Sequence, residues 1–190
     1  RIYVERSIYS DFVDQFVAQG QGAYTPGDPL DPETNMGPLV NAQAQERVLG
    51  FIESGKKEGA SLKFGGNIPS GLDGGFYVEP TLFSDVSNDM TIGREEIFGP
   101  VLVIIPFDSE ENAISIANDT PYGLAAYLQT GNPDRARRVA AQLRAGAVHI
   151  NGGGFNYGSP FGGYKQSGNG REGGMMGLED YLETKTLHGL

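Results

Sequence analysis

The sequence predicts an α/β protein built on an open, mostly parallel twisted sheet, and three observations carry that expectation. "VLVIIPF" (residues 101–107) is an apolar, β-branched run of the kind buried on both faces of a sheet. It opens a β-α-β-α-β series that runs to residue 151 through short connections, which favours right-handed crossovers between parallel strands. The series ends at a glycine-rich stretch, residues 152–174, where open parallel sheets bind ligands beyond the carboxyl ends of their strands.

The elements follow in order. "RIYVE" has strand composition, and Ile8, Phe12, Val13, Phe16 and Val17 then share one helical face, with Ser7 available as the N-cap. Residues 20–38 hold four Pro and four Gly and read as an irregular loop. A second helix begins at Asn41, carries Ala44, Val48, Phe51, Ile52 and Gly55 on one face, and ends near Gly59. "SLKF" is a strand, and "FYVEPTLFSDV" is extended, with Pro80 marking an edge or irregular strand. After "VLVIIPF", "SEENAISIAND" is a helix with acids in its first turn and Ala113, Ile116 and Ala117 inward. "LAAYLQT" (124–130) is a strand, and the helix after it takes Asn132 as cap and Pro133 at its first position, with Ala136, Val139, Ala140 and Leu143 buried. "AVHIN" (147–151) is the last strand of the series. "MMGLEDYLETKTLHGL" gives a short amphipathic turn and an extended tail with no obvious partner strand.

Bulk properties narrow the function. A chain of 190 residues is about one large domain, with 38% hydrophobic and 10% aromatic residues. Fourteen basic against 24 acidic side chains give a net charge of −10, which repels phosphate backbones and anionic lipid, so neither nucleic acid nor membrane is expected as a partner. The longest apolar run falls far short of the roughly 20 residues of a membrane span, and no signal or transit peptide is recognisable, so a cytoplasmic protein is expected. With no cysteine and only His149 and His188, disulfides, thiolate metal sites and histidine-based metal centres are not expected within this chain. The chain opens at Arg1 on strand composition, where domains ordinarily begin in a loose polar end, so a fragment whose beginning lies upstream is expected.

Two motif matches are decoys. "GNGREG" (168–173) fits G-x-G-x-x-G literally, but it lacks a strand before it and an acid about 20 residues after it. "GGGFNYG" places Tyr157 where the third glycine belongs. The acids of "DPLDPETN" lack EF-hand spacing and read as a solvated turn, and His149 reads as a hydrogen-bonded structural residue. "REEIFGPVL" (94–102) is different, because Glu96 stands before a Phe-Gly-Pro corner at the entrance to a buried strand. Taken alone, it is open between a surface acid and a functional carboxylate. The stretch 152–174 holds ten Gly with four aromatics between them, more than a compact domain spends on a loop without a task, and the glycines at 152–154 suggest a roomy or mobile surface.

"EEIFGPVL", "NDTPYGLAAYLQT", "GAVHIN" and "SPFGGYKQSGNGRE" occur in the order and spacing of the aldehyde dehydrogenase superfamily, which the chain resembles over nearly its whole length. "RIYVERSIYSDFV" resembles the segment that follows the family's catalytic cysteine. The resemblance implies the family's catalytic-domain fold, with helices on both faces of the sheet, over residues 1–180, and the start of an extended oligomerisation arm over 181–190. It places the dinucleotide-binding domain upstream of this chain. Glu96 is then the carboxylate that accepts hydrogen bonds from the nicotinamide-side ribose of NAD or NADP, since an ionised carboxylate can take both vicinal hydroxyls at once. Phe98 packs against that ribose and the nicotinamide, Phe161 and Phe155 line the aldehyde funnel, and Glu172 joins a proton path to solvent or else complements a helix start.

The resemblance also implies an NAD(P)-dependent oxidation of an aldehyde to a carboxylic acid through a cysteine thiohemiacetal and thioester. The nucleophilic Cys lies before Arg1, with the general-base Glu further upstream, so the isolated chain is expected to be inert and at most a weak cofactor binder. The full-length protein is expected to form a homo-oligomer, dimer or tetramer, through the arm. Two alternatives stay open: a non-catalytic structural relative, and a semialdehyde dehydrogenase that transfers the acyl group to coenzyme A.

Overall fold

A computed structural model describes residues 1–189, and the chain divides within one helix into two compact units, residues 1–113 and 114 onward. Their composition follows the expected α/β class, with a mostly parallel arrangement of strands and interleaved helices.

The first unit contains β1 (Ile2–Glu5), α1 (Tyr9–Gly20), α2 (Ala42–Lys57), β2 (Ser61–Phe64), β3 (Thr81–Ser84), a four-residue helix α3 (Thr91–Arg94) and β4 (Val101–Phe107). Its sheet runs β1-β4-β3-β2, with β1 and β3 parallel to β4 and β2 antiparallel to β3. β4 lies between two neighbours, which is why its centre, Val103, Ile104 and Ile105, is an unbroken apolar run buried on both faces. Pro106 stands where only β1 still accompanies the strand, so its missing N–H costs the β3 ladder nothing. Val4, Val13, Leu82 and Ile104 form a buried cluster, with Tyr9, Phe12, Phe16 and Val17 of α1 packed against it. Burial of each such side chain contributes about 1.5–3 kcal/mol.

Three expectations for this unit are corrected. Ser7 does not cap α1: residues Arg6–Ile8 form a single 3₁₀ turn, the Ser7 hydroxyl donates to Glu5, and α1 starts without a side-chain cap. β3 is not an edge strand: it lies between β4 and β2, and only its pairing with β2 is irregular, where the register shifts between Leu62 and Phe64. Pro80 precedes it, so the ladder begins at Thr81, whose N–H donates to the Pro100 carbonyl at 2.8 Å, and all four residues of the strand are buried. Nor does β4 begin one continuous sheet with the later strands, because both its edges are already taken by β1 and β3. α2 follows expectation, with the Asn41 side chain accepting from the Ala44 N–H at 2.8 Å.

The division between the units falls within α4 (Glu110–Asn118). The second unit then holds β5 (Ala125–Leu128), α5 (Pro133–Ala140), β6 (Ala147–Ile150) and α6 (Gly174–Glu179), with β5 and β6 paired in parallel. Asn132 caps α5 by accepting from the Asp134 and Arg135 N–H groups, with Pro133 at the first position. Residues 181–189 form neither strand nor helix, so the extended arm expected from Tyr181 is not part of the fold. Leu190, its last expected residue, lies outside the described residues. Among the described residues, no helix is long and apolar enough to cross a membrane.

Candidate cofactor and substrate surfaces

In the first unit, residues 91–101 make a short helix, a corner and the entry to β4. Glu95 ends α3 in extended conformation, and Ile97 is buried while Glu96 and Phe98 on either side of it are exposed. The corner closes where the Val101 N–H donates to the Gly99 carbonyl at 2.8 Å, a three-residue turn centred on Pro100. A side chain at Gly99 would stand 2.5 Å from a methyl of buried Val48, so only glycine lets the corner lie against α2. Phe98 is held at φ 52°, a left-handed conformation that costs an L-residue about 1–2 kcal/mol, and its ring is 75% exposed. Backbone strain kept at a residue whose aromatic ring is exposed, with no core to fill, points to a binding task.

The Glu96 carboxylate has no hydrogen-bond or ion-pair partner among the described residues; only its main-chain carbonyl is engaged, by Arg47 of α2 at 3.5 Å. An acceptor-only group without a donor, beside a flat exposed ring, can take a pair of vicinal hydroxyls while the ring covers a planar heterocycle. α2 also holds the start of this segment. The Glu58 carboxylate just past its end accepts from the Thr91 N–H at 2.6 Å and from the Thr91 and Ser54 hydroxyls at 2.5 and 2.8 Å. These bonds, from Thr91 first and then Ser54, keep its pKa below the ordinary glutamate value.

In the second unit, the glycine-rich stretch divides into an open part and a closed one. Around Gly152 and Gly154 there is empty space, in keeping with a roomy surface. Around Gly162 and Gly163 the main chain is instead packed against main chain, including that of Gly146. A side chain at Gly146 would stand 1.6 Å from the Gly162 carbonyl oxygen, and one at Gly162 would stand 2.1 Å from that of Gly170. Gly123 accepts from the Gly146 and Tyr164 N–H groups and donates to the Ser167 hydroxyl. The Asn118 side chain donates to the Gln142 carbonyl and accepts from the Arg144 N–H, while the Lys165 ammonium donates to the Asn118 and Thr120 carbonyls at 2.8 and 2.9 Å. Three stretches far apart in sequence, near 118–124, 142–147 and 162–168, are thus tied into one hydrogen-bonded knot.

Phe161 and Glu172 exchange both main-chain hydrogen bonds, at 2.6 and 2.7 Å, as an isolated antiparallel bridge. Arg171 secures it: one guanidinium nitrogen donates to the carbonyls of Gly163, Asn169 and Gly170, and the group lies 5.7 Å above the Tyr164 ring. Phe161 meets Phe155 edge to face at 6.0 Å, and Phe155 meets Tyr157 at 5.1 Å. All three rings are partly open to solvent. A cavity of about 340 Å³ lies beside the bridge, lined by Leu124, Phe161, Arg171, Glu172, Asp180 and Tyr181. Glu172 is exposed and stands just before Gly173, the N-cap of α6. His149 is a structural residue here, its Nδ1 2.9 Å from the Gly153 carbonyl and its ring stacked on Tyr127 at 4.9 Å.

The comparisons with known proteins turn these surfaces into a family assignment. Residues 1–187 match the aldehyde dehydrogenase family. The chain belongs to that family. It is 52% identical to a 3-succinoylsemialdehyde-pyridine dehydrogenase of a Pseudomonas species over 164 residues, 86% of this chain and 34% of the relative. It is 46% identical to the betaine aldehyde dehydrogenase of Brucella anthropi over 193 aligned residues, 99% of this chain and 39% of that protein. Among solved structures, it is similar to the Mycobacterium tuberculosis aldehyde dehydrogenase complexed with NAD+, with a TM-score of 0.88 and 48% identity over 95% of this chain and 37% of that one. The chain therefore spans little more than a third of the aldehyde dehydrogenases it matches.

Sequence reasoning named Glu96, Phe98, Phe155, Phe161 and Glu172. The structure leaves Glu96 and Phe98, two residues apart, both exposed on the first unit, and it brings the other three together in the second. Sequence reasoning missed Tyr157, a further ring of the same cluster, for which the alternation Phe155-x-Tyr157 is the available signal. It also missed Glu58 and Arg171, whose partners lie on other segments and leave no local signal.

Proposed function

We propose that the full-length protein is an NAD(P)-dependent aldehyde dehydrogenase that oxidises an aldehyde to a carboxylic acid. The observation that carries this reading is the partnerless Glu96 carboxylate beside the strained, exposed Phe98, in a chain that belongs to this family. Glu96 accepts the two hydroxyls of the nicotinamide-side ribose, and hydrogen bonds to an ionised group are worth about 1.5–3 kcal/mol each. Phe98 covers the ribose and ring from one side. When bound, the nicotinamide supplies the hydride acceptor for the oxidation. Phe161 and Phe155, with Tyr157, form an aromatic wall of the aldehyde funnel, and Glu172 offers an exposed carboxylate for passing protons to solvent.

The thiolate that attacks the aldehyde, and the glutamate that activates water against the thioester, belong to the full-length protein and not to this chain, which has no cysteine. The chain on its own therefore has no activity, and the full-length protein works as a cytoplasmic homo-oligomer. The test follows aldehyde-dependent reduction of NAD and of NADP by the full-length protein across a panel that includes betaine aldehyde and 3-succinoylsemialdehyde-pyridine. The present chain serves as blank. Turnover by the full-length protein and none by the chain is the expected result. Turnover by the isolated chain, or cofactor binding without turnover of any aldehyde by the full-length protein, overturns it.

A further inference from the structure

We propose that Glu58 is a positioning residue for the cofactor-facing segment, acting through Thr91 on the placement of Glu96 and Phe98. The assignment rests on the cofactor reading of Glu96 given above.

Residues 91–99 run along α2 and touch it at four points. At the far end of the helix, the Glu58 carboxylate takes both the N–H and the hydroxyl of Thr91, the first residue of α3. One turn back, a side chain at Gly55 would stand 2.6 Å from the Ile92 side chain, so the glycine lets buried Ile92 seat directly on the helix. Near the start of α2, Arg47 reaches the Glu96 carbonyl and Val48 fills the space beneath Gly99. Ten residues of helix, from Val48 to Glu58, span about 15 Å. The cofactor-facing pair therefore sits on a short strap pinned at both ends to one rigid rod.

The two ends differ in kind. The Val48–Gly99 end is apolar packing and fixes how deep the corner lies. The Glu58–Thr91 end is directional, and it involves three donors on one carboxylate. α3 has only four residues and carries no other side-chain cap. Buried Ile92 fixes how closely it packs on α2, while the Glu58 carboxylate supplies the directional hold on its first residue and so helps set the path of Glu95 and Glu96 out of it. A carboxylate supported in this way needs its supporting shell to hold its geometry within a fraction of an ångström.

The test uses the full-length protein with Glu58→Gln, Thr91→Val, Thr91→Ser, Glu96→Gln and the double variant Glu58→Gln/Glu96→Gln. The readings are the dissociation constant for NAD, the KM values for NAD and for the aldehyde, and the melting temperature. Glu58→Gln and Thr91→Val are expected to weaken NAD binding about three- to tenfold, with the aldehyde KM unchanged. Thr91→Ser, which keeps the hydroxyl, is expected to retain the parent affinity. In the double variant, the loss is expected to be no greater than in Glu96→Gln alone, since both changes act on one contact. If Glu96→Gln weakens NAD binding but Glu58→Gln and Thr91→Val lower only the melting temperature, Glu58 is a structural cap and the proposal fails alone. If Glu96→Gln itself leaves NAD binding unchanged, the cofactor reading fails and the positioning role falls with it.

Discussion

The segment 91–100 and the knot built from residues 118–172 serve the two candidate surfaces, yet they are held in different ways. The first is gripped by side chains of one helix: a carboxylate on Thr91, a valine under Gly99, an arginine on a carbonyl. The second also uses side chains, those of Asn118, Lys165 and Arg171, but it adds what the first lacks: glycines packed main chain to main chain where carbonyls from distant segments come too near for a Cβ. A grip made of side chains can be loosened in steps, because a flexible group can yield. A grip made of backbone cannot, because a carbonyl has nowhere to go without moving its strand.

That contrast orders the expected effects. Gly146→Ala in the full-length protein puts a methyl onto the Gly162 carbonyl, and a loss of more than about 3 kcal/mol is expected, read as insoluble expression or collapse of the melting temperature. Gly99→Ala meets the Val48 methyls instead and should cost about 1–3 kcal/mol. Combining it with Val48→Ala should cost less than the sum of the single changes in denaturant unfolding, because the cavity receives the new methyl. Full additivity there, or a mild Gly146→Ala, would break the distinction between the two regions.

Two smaller effects sharpen it. Phe98→Gly removes left-handed strain from a ring that buries little, so the melting temperature should hold or rise while NAD affinity falls at least about tenfold. A fall in both would mean that the ring supports the corner rather than a ligand. The smallest effect is the pH dependence of the Glu58 cap. Its carboxyl titrates lower in the folded protein than in the unfolded chain, so the cap stabilises fully above the ordinary glutamate value of about 4.3 and is lost as pH falls through the lowered folded value. The unfolding midpoint of Glu58→Gln should therefore converge with that of the parent in acid, and a constant gap between the two would argue against it.

Much of the fold was legible because its signals are local. The Asn41 and Asn132 caps, the Pro133 start and the apolar run of β4 each declare themselves within a few residues. What escaped was pairing. Nothing in "RIYVE" or "TLFS" says that these strands flank β4, since partner choice depends on contacts about 100 and 20 residues away along the chain. Ser7 looked like a cap by type, but the chain enters α1 through a 3₁₀ turn and spends that hydroxyl on Glu5. The surfaces divided along the same line. Glu96 and Phe98 stood out by their place before a Gly-Pro corner and by family resemblance, whereas Glu58 and Arg171 act across segments and look like ordinary surface charges in the sequence. The glycines at 152–154 suggested a roomy or mobile surface, and space is open at 152 and 154, whereas at 162 and 163 the absent Cβ marks a close approach that the sequence does not announce.

One feature of the knot gives it a chemical clock. The Lys165 ammonium is half-buried and donates hydrogen bonds to the carbonyls of Asn118 and Thr120, which hold the amine away from acylating reagents while the knot is closed. Lys57 and Lys185, both on the surface, should label early, and Lys165 only when the knot opens. The acylation lag at that single residue, measured by mass spectrometry, would time the opening of the second unit without a probe having to be introduced.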